Sequence, residues 1–258
     1  MITLRHCLLF LILLPAVLLP VHRTAAQSVN VTMAVNRASM LAGETAILRV
    51  YGRIKPALAA GSDRIFSWYV DVTNPAPASV RVDWNTLIMS GSDNTPGLFS
   101  SGVNQGANNR RGIYNTFLNF AGAGKSSDVE LFNVRLTALA DGPATFTVSA
   151  GTGVPNLSND FIVATAGGAG FLTGGDYGAA VLTAQVVPLF VTPSALVKLA
   201  NGSRRVDFPV FSGFNHRVEY SPDLETWTNA PSFSNLGSFT DAAAAGIARR
   251  FYRVRLLR

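Results

Sequence analysis

The sequence predicts an all-β protein: a β-sandwich of antiparallel sheets followed by a small C-terminal β domain. Three observations predict it. Apolar residues alternate with polar ones at period 2 through most of the chain, and no long segment shows a helical period. Proline- and glycine-rich turn signals separate the alternating runs.

The elements follow in order. In VNVTMAVN, Val29, Val31, Met33 and Val35 share one face, with Asn30, Thr32 and Asn36 on the other. In FSWYVDVT, Phe66, Trp68, Val70 and Val72 alternate with Ser67, Tyr69, Asp71 and Thr73. SVRVDW sets Val80, Val82 and Trp84 against Arg81 and Asp83. ELFNVRLTAL and ATFTVSA repeat the scheme through Phe132, Val134, Leu136, Phe146 and Val148. A strand that buries one face and wets the other is the unit of stacked antiparallel sheets. TNPAP at 73–77 links two strands because proline cannot donate to a ladder. ADGP at 140–143 is a turn directly before the next strand. The stretches 90–112 and 151–179 are poor in strand signal and read as surface loops or insertions. AVLTAQVV at 180–187 is the closing strand.

At the other end, residues 1–26 have the three parts of an export signal: Arg5 and His6, an apolar run from Cys7 to Val21, and the small-residue site Thr24-Ala25-Ala26. The run is short for a membrane anchor and holds Pro15 and Pro20. Cleavage after Ala26 is expected, giving a secreted, extracellular or cell-surface protein with no membrane span in the mature chain. Cys7 is the only cysteine, and His6 and His22 leave with the leader, so His216 alone remains. The basic count falls from 21 to 19 against 15 acids as Arg5 and Arg23 go, a net charge of +4. The arginines are scattered rather than gathered on a basic face, which disfavours nucleic acid as a partner. The expected parts are a sandwich over 27–187, a proline-bearing linker PLFVTPSA over 188–195, and a small β module over 196–258.

The order NVTMAVN, GETAILRVYGRI, IFSWYVDVTNP, VRVDW, GIYNTFLNFAG, ELFNVRLTALADGPATFTVSAG and a last strand at 180–187 resembles the cohesin domain. The resemblance covers roughly 29–187 and is most telling over 113–150. It implies a nine-stranded jelly-roll-like sandwich that binds dockerin modules or otherwise joins extracellular polysaccharide-degrading systems. The chain departs from the family in its 90–112 insertion, its glycine-rich 151–179 stretch and its lack of dockerin-like calcium loops. The C-terminal part resembles a recurrent ending of exported bacterial proteins through Val218–Thr228, Gly237–Asp241 and Arg250–Arg255. That resemblance implies attachment or a passive structural duty.

Chemistry-bearing residues are sparse. HRVEYSPDLETW places His216 near Glu219, Asp223 and Glu225, but a hydrolytic histidine needs a nucleophile and an orienting acid. The stretch reads as a strand entering a turn: Glu219 on the wet face, Pro222 and Asp223 in the turn, Trp227 closing a small core. One histidine without cysteine falls short of a zinc set. SGSDN (90–94) and SNDF (158–161) do not match an EF-hand loop, so no metal and no cofactor are expected. Two suitably spaced carboxylates would suffice for glycoside hydrolysis. Asp71, Asp83 and Glu130, however, fall on polar strand faces, where solvated acids belong. Trp68 and Trp84 lie on the apolar alternation and read as core. Tyr51, Tyr69 and Tyr114 are the candidate partner- or ligand-binding residues, placed outside on the sheets. The expected function is a non-catalytic interaction module for an extracellular protein, dockerin-bearing or similar. The alternatives are a carbohydrate-binding protein using a sandwich face and, disfavoured, a glycan-active hydrolase.

Overall fold

The computed structural model describes residues 28–55, 64–74, 78–89, 99–106, 108–116, 129–152, 160–164 and 170–258. The expected export leader lies outside the described residues, as do all of SGSDN and the first two residues of SNDF.

Sheet one is built from β1 (Ser28–Val35), β3 (Thr45–Lys55), β5 (Val80–Met89), β8 (Val129–Ala138) and the short β12 (Gly175–Asp176), in the order β12-β1-β3-β8-β5. Sheet two holds β2 (Ser39–Leu41), β4 (Arg64–Thr73), β6 (Phe99–Asn104), β7 (Arg110–Thr116), β9 (Gly142–Ala150), β10 (Phe161–Ala164), β11 (Gly170–Thr173) and β13 (Val181–Val187). Its main path runs β11-β10-β4-β9-β13-β2, with the β6–β7 hairpin joined to β4 through β7. The pairings are antiparallel except β1 with β12 and β13 with β2, which are parallel.

Alternation decides which face of each strand goes inside. Val29 and Val31 of β1, Trp68, Val70 and Val72 of β4, and Phe132, Val134 and Leu136 of β8 are all buried. Across the interior, the Trp68 ring stacks on Phe132 with centroids 5.4 Å apart. The apolar interior falls into two neighbouring clusters, and Met33, Trp84 and Leu87 pack against both.

β9 and β10 are two halves of one edge. Ala150 pairs with Val70 and Phe161 with Trp68, while Tyr69 between them donates to Asp160 O and accepts from Gly151 N. The chain leaves the ladder after Gly151 and returns to it at Asp160. The stretch read as loop thus contains an interrupted strand. Residues 90–112, expected to be a surface loop or an insertion, likewise hold β6 and the start of β7. Their runs are rich in Ser, Gly and Asn, so apolar alternation is too sparse to reveal them.

The C-terminal part forms two small sheets. One has the order β14-β20-β17-β18, from β14 (Phe190–Val191), β17 (Asn215–Ser221), β18 (Thr228–Phe233) and β20 (Phe251–Leu257). The other is β15 (Ala195–Lys198), β16 (Arg204–Asp207) and β19 (Ser238–Asp241), in the order β15-β16-β19. Within the stretch expected to link the two parts, Phe190 and Val191 pair with Arg255 and Val254. Leu41 and Val187 of the sandwich lie in one buried cluster with Val191, Val206, Phe208, Phe214, Val218, Val254 and Leu256. The last residue, Arg258, forks onto both Glu44 carboxylate oxygens at 2.8 Å and donates to Ser39 O at 2.6 Å.

That fork holds the Glu44 carboxyl below its ordinary value; the hydrogen bond from Arg258 is the main cause and the amide of Leu41 adds to it. A carboxylate with a depressed folded pKa contributes stability above its unfolded value of 4.5, and loses it as pH falls through the folded value. We expect Glu44→Gln to cost about 1 kcal/mol at neutral pH. The gap to the parent should close as thermal melts are repeated at falling pH. A constant gap across that range would show that the ion pair is not its source.

Candidate functional site

The two outer faces of the sandwich differ in chemistry. On sheet one, Arg49 of β3 pairs with Glu130 of β8 at 3.5 Å, and Arg135 of β8 with Asp83 of β5 at 3.2 Å. Charges that neutralise one another on a wet surface make a solvated face. Tyr51 lies among them, half-buried in β3 beside Arg49 and Arg53.

Sheet two is different. Its outer positions read Ser67, Tyr69, Asp71 and Thr73 on β4, Thr145, Thr147 and Ser149 on β9, Thr183 and Gln185 on β13, and Gly112, Tyr114 and Thr116 on β7. Short hydroxyl side chains pair across the strands. Thr145 Oγ1 lies 3.0 Å from Thr183 Oγ1, and Ser67 Oγ 2.9 Å from Thr116 Oγ1. The tyrosines at 69 and 114 are direct cross-strand partners, with ring centroids 6.4 Å apart. This face carries few charges.

Tyr69 does not lie outside as expected; it is 4% exposed. The cause is what surrounds it. A Cβ at position 151 would sit 2.2 Å from Tyr69 Cδ1, and one at 112 would lie 3.4 Å from its hydroxyl. Gly151 therefore leaves a trough in the sheet that the phenol fills, with position 112 in ordinary contact at its hydroxyl end. Tyr114 is half-buried beside it and presents the accessible ring of the pair.

Asp71 is also buried, at 6% exposure, against the expectation of a solvated acid. Its Oδ1 accepts the Gly112 amide at 2.7 Å, and its Oδ2 accepts the Thr152 amide at 3.1 Å and hydroxyl at 2.6 Å. Arg111 stands 3.9 Å away. The carboxylate thereby ties β7 to the point where the chain leaves β9. With its oxygens committed to fixed donors, it is a structural clamp.

The neighbourhood of His216 is structural too. The ring is fully buried and stacked on Phe208, with centroids 5.7 Å apart. Its Nε2 accepts the Phe211 amide at 3.0 Å, which places the proton on Nδ1 for donation to Asn235 Oδ1 at 3.1 Å. Asp223 caps the turn, accepting the amides of Thr226 at 2.8 Å and Glu225 at 2.9 Å. Those amides hold its carboxyl below the ordinary value.

Two expectations are corrected here. Glu219 is 4% exposed, not on a wet face, because Arg253 of β20 covers it and bonds it at 2.5 Å. Trp227 does not close the core. It lies half-exposed, donates to Leu224 O, and stacks on Arg253 at 4.0 Å, while Phe190 lies 4.5 Å from the same guanidinium. Arg253 is thus held between two rings and a carboxylate, which accounts for that arginine by packing alone.

No helix of the described residues is long and apolar enough to cross a membrane. Among the described residues no group of three or more His, Cys, Asp or Glu side chains gathers as a metal site would.

Neither a protein-family model nor a curated protein matches the chain. Solved structures it is similar to include cohesin modules. A type II cohesin domain from the cellulosome of Acetivibrio cellulolyticus shares 11% identity over 61% of this chain and 95% of that one, with a TM-score of 0.41. CaCohA2 from Clostridium acetobutylicum shares 15% identity over 62% and 90%, with a TM-score of 0.40. The cohesin module of a family 33 glycoside hydrolase from Clostridium perfringens shares 11% over 63% and 99%, with a TM-score of 0.35.

The clamp reading of Asp71 makes a prediction. Asp71→Ala leaves the Gly112 and Thr152 amides without an acceptor and should cost about 2 kcal/mol in urea unfolding. Asp71→Asn, which keeps one acceptor oxygen, should recover part of the loss. A neutral Asp71→Ala would contradict the clamp.

Proposed function

We propose that the protein is a non-catalytic binding module that docks an extracellular protein partner on the outer face of sheet two. One observation carries this reading: the face is hydroxyl-rich, poor in charge and centred on a tyrosine pair, while the opposite face carries the Arg49–Glu130 and Arg135–Asp83 ion pairs. Cores of protein interfaces are depleted in acidic residues and lysine and enriched in tyrosine, and the face matches on those two counts. Threonines and serines cost little to desolvate when a partner's polar groups replace water. The sequence resemblance to cohesins makes dockerin-type modules the first partners to test, within assemblies that act on polysaccharides. Export through the N-terminal leader belongs to the same proposal.

A polysaccharide lying across this face is the second reading. The half-buried Tyr114 ring among hydroxyl groups favours it, since a planar ring can stack on a sugar while the hydroxyls bond its edges.

The test uses the full mature chain with purified dockerin modules and, in parallel, a polysaccharide array. Tyr114→Ala and Thr147→Arg should each weaken binding of the partner at least about tenfold, or about 1.4 kcal/mol. Asn30→Arg on the outer face of sheet one should leave it unchanged. Undiminished affinity in both sheet-two variants would overturn the proposed face. Retention of a glycan in place of dockerin, lost on Tyr114→Ala, would select the second reading.

A further inference from the structure

A cavity of about 390 Å³ opens at the seam where the β6–β7 hairpin meets the free edge of β5, lined by Arg81, Asp83, Trp84, Asn85, Asn104 and Arg110. It lies apart from the tyrosine face. Its construction is local and specific. Asn108 takes a positive φ of 74° at the hairpin turn. From there its side chain pairs with the β5 backbone, accepting the Val82 amide at 2.9 Å and donating to Val80 O at 2.6 Å. The β5–β8 register also shifts between Asp83 and Ile88, which carries Trp84 and Asn85 off the regular ladder at the cavity.

The charge balance of the cavity is uneven. Asp83 is paired with Arg135 at 3.2 Å. Arg110 and Arg81 have no carboxylate partner among the described residues. The guanidinium of Arg110 lies over the Trp84 ring at 5.4 Å, and its Nε is buried without an acceptor, as is the Trp84 indole nitrogen. Burial pushes the Arg110 guanidinium down from its ordinary value. A partly desolvated cation with no counter-charge is costly on its own. An anion arriving at its remaining N–H groups offsets that cost, and arginine forks onto a carboxylate with two parallel hydrogen bonds.

We propose that this seam cavity binds an acidic saccharide, with the carboxylate of a uronic acid unit on Arg110 and Arg81. Trp84 lines the cavity beside them and carries the Arg110 guanidinium over its ring. Asn85, Asn104 and Asp83 supply donors and acceptors for hydroxyl groups. The volume is that of a small-ligand pocket, a few hundred Å³, rather than of a protein docking face. The inference stands independently of the tyrosine face, because the two sites share no residue.

The test is titration of the full mature chain with trigalacturonate, read by calorimetry and by tryptophan fluorescence. A neutral cellotriose, inorganic phosphate and an Asp/Glu-rich peptide serve as competitors. Saturable binding of trigalacturonate is expected, at least about tenfold tighter than the neutral trimer and weakened by salt. Arg110→Gln should reduce affinity about tenfold or more, and the exposed Arg81→Gln by a smaller factor with the thermal melt unchanged. Equal binding of the neutral trimer, preference for phosphate or the acidic peptide, no saturation, or full affinity in Arg81→Gln and Arg110→Gln together would each overturn the proposal. Loss of dockerin binding in Tyr114→Ala with trigalacturonate binding intact would show the two sites to be separate.

Discussion

The contact of Trp68 with Phe132 through the middle of the sandwich is the constraint around which the rest is arranged. It joins β4 of one sheet to β8 of the other, and the valines and leucines of β1, β3, β4 and β8 close around it. The only cysteine is Cys7, so no disulfide within the chain shares the load. Each fully buried large apolar side chain contributes about 1.5–3 kcal/mol relative to exposure. A protein held together by that term must keep water out along every seam between its sheets.

Three devices close those seams, and each is also where the functional questions gather. Along the β5 edge, Asn108 pairs with the free backbone of Val80 and Val82, and a polar cavity is left beside it. Around β9 and β10, Asp71 gathers the amides of Gly112 and Thr152, and Tyr69 fills the trough that Gly151 leaves. At the base, Leu41 and Val187 share buried surface with the C-terminal sheets, and Arg258 latches onto Glu44. The C-terminal part is therefore packed against the sandwich through side chains, in a buried cluster of its own that takes in Leu41 and Val187, as well as joined to it by the chain.

Much of this was legible in the sequence, and the parts that were not share a cause. Alternation shows which residues of β1, β4, β5, β8 and β9 face inward, because only there does an apolar residue recur at every second place. It says nothing of what covers the outer positions. Tyr69 and Asp71 have the parity of exposed residues; Tyr69 is buried where position 151 lacks a side chain, and Asp71 where Gly112 and Thr152 close on its carboxylate. Glu219 has the same parity and is covered by Arg253 from a strand more than thirty residues away. The β6–β7 hairpin was hidden for a different reason: Ser, Gly and Asn pair by backbone alone and leave no hydrophobic trace. The seam cavity follows from that hairpin, so Arg110 could not be set beside Trp84 before the hairpin was placed.

The most direct test of whether the packing at Leu41 and Val187 couples the two parts into one cooperative unit is native-state hydrogen exchange on the full mature chain. If the account holds, amides of Val70, Phe132 and Val148 in the sandwich and of Val218 and Val254 in the C-terminal sheets exchange only through one global opening, with closely similar free energies. Exchange of the Val218 and Val254 amides at a much lower free energy, while the sandwich stays protected, would contradict it and leave the C-terminal part as an independently opening appendage.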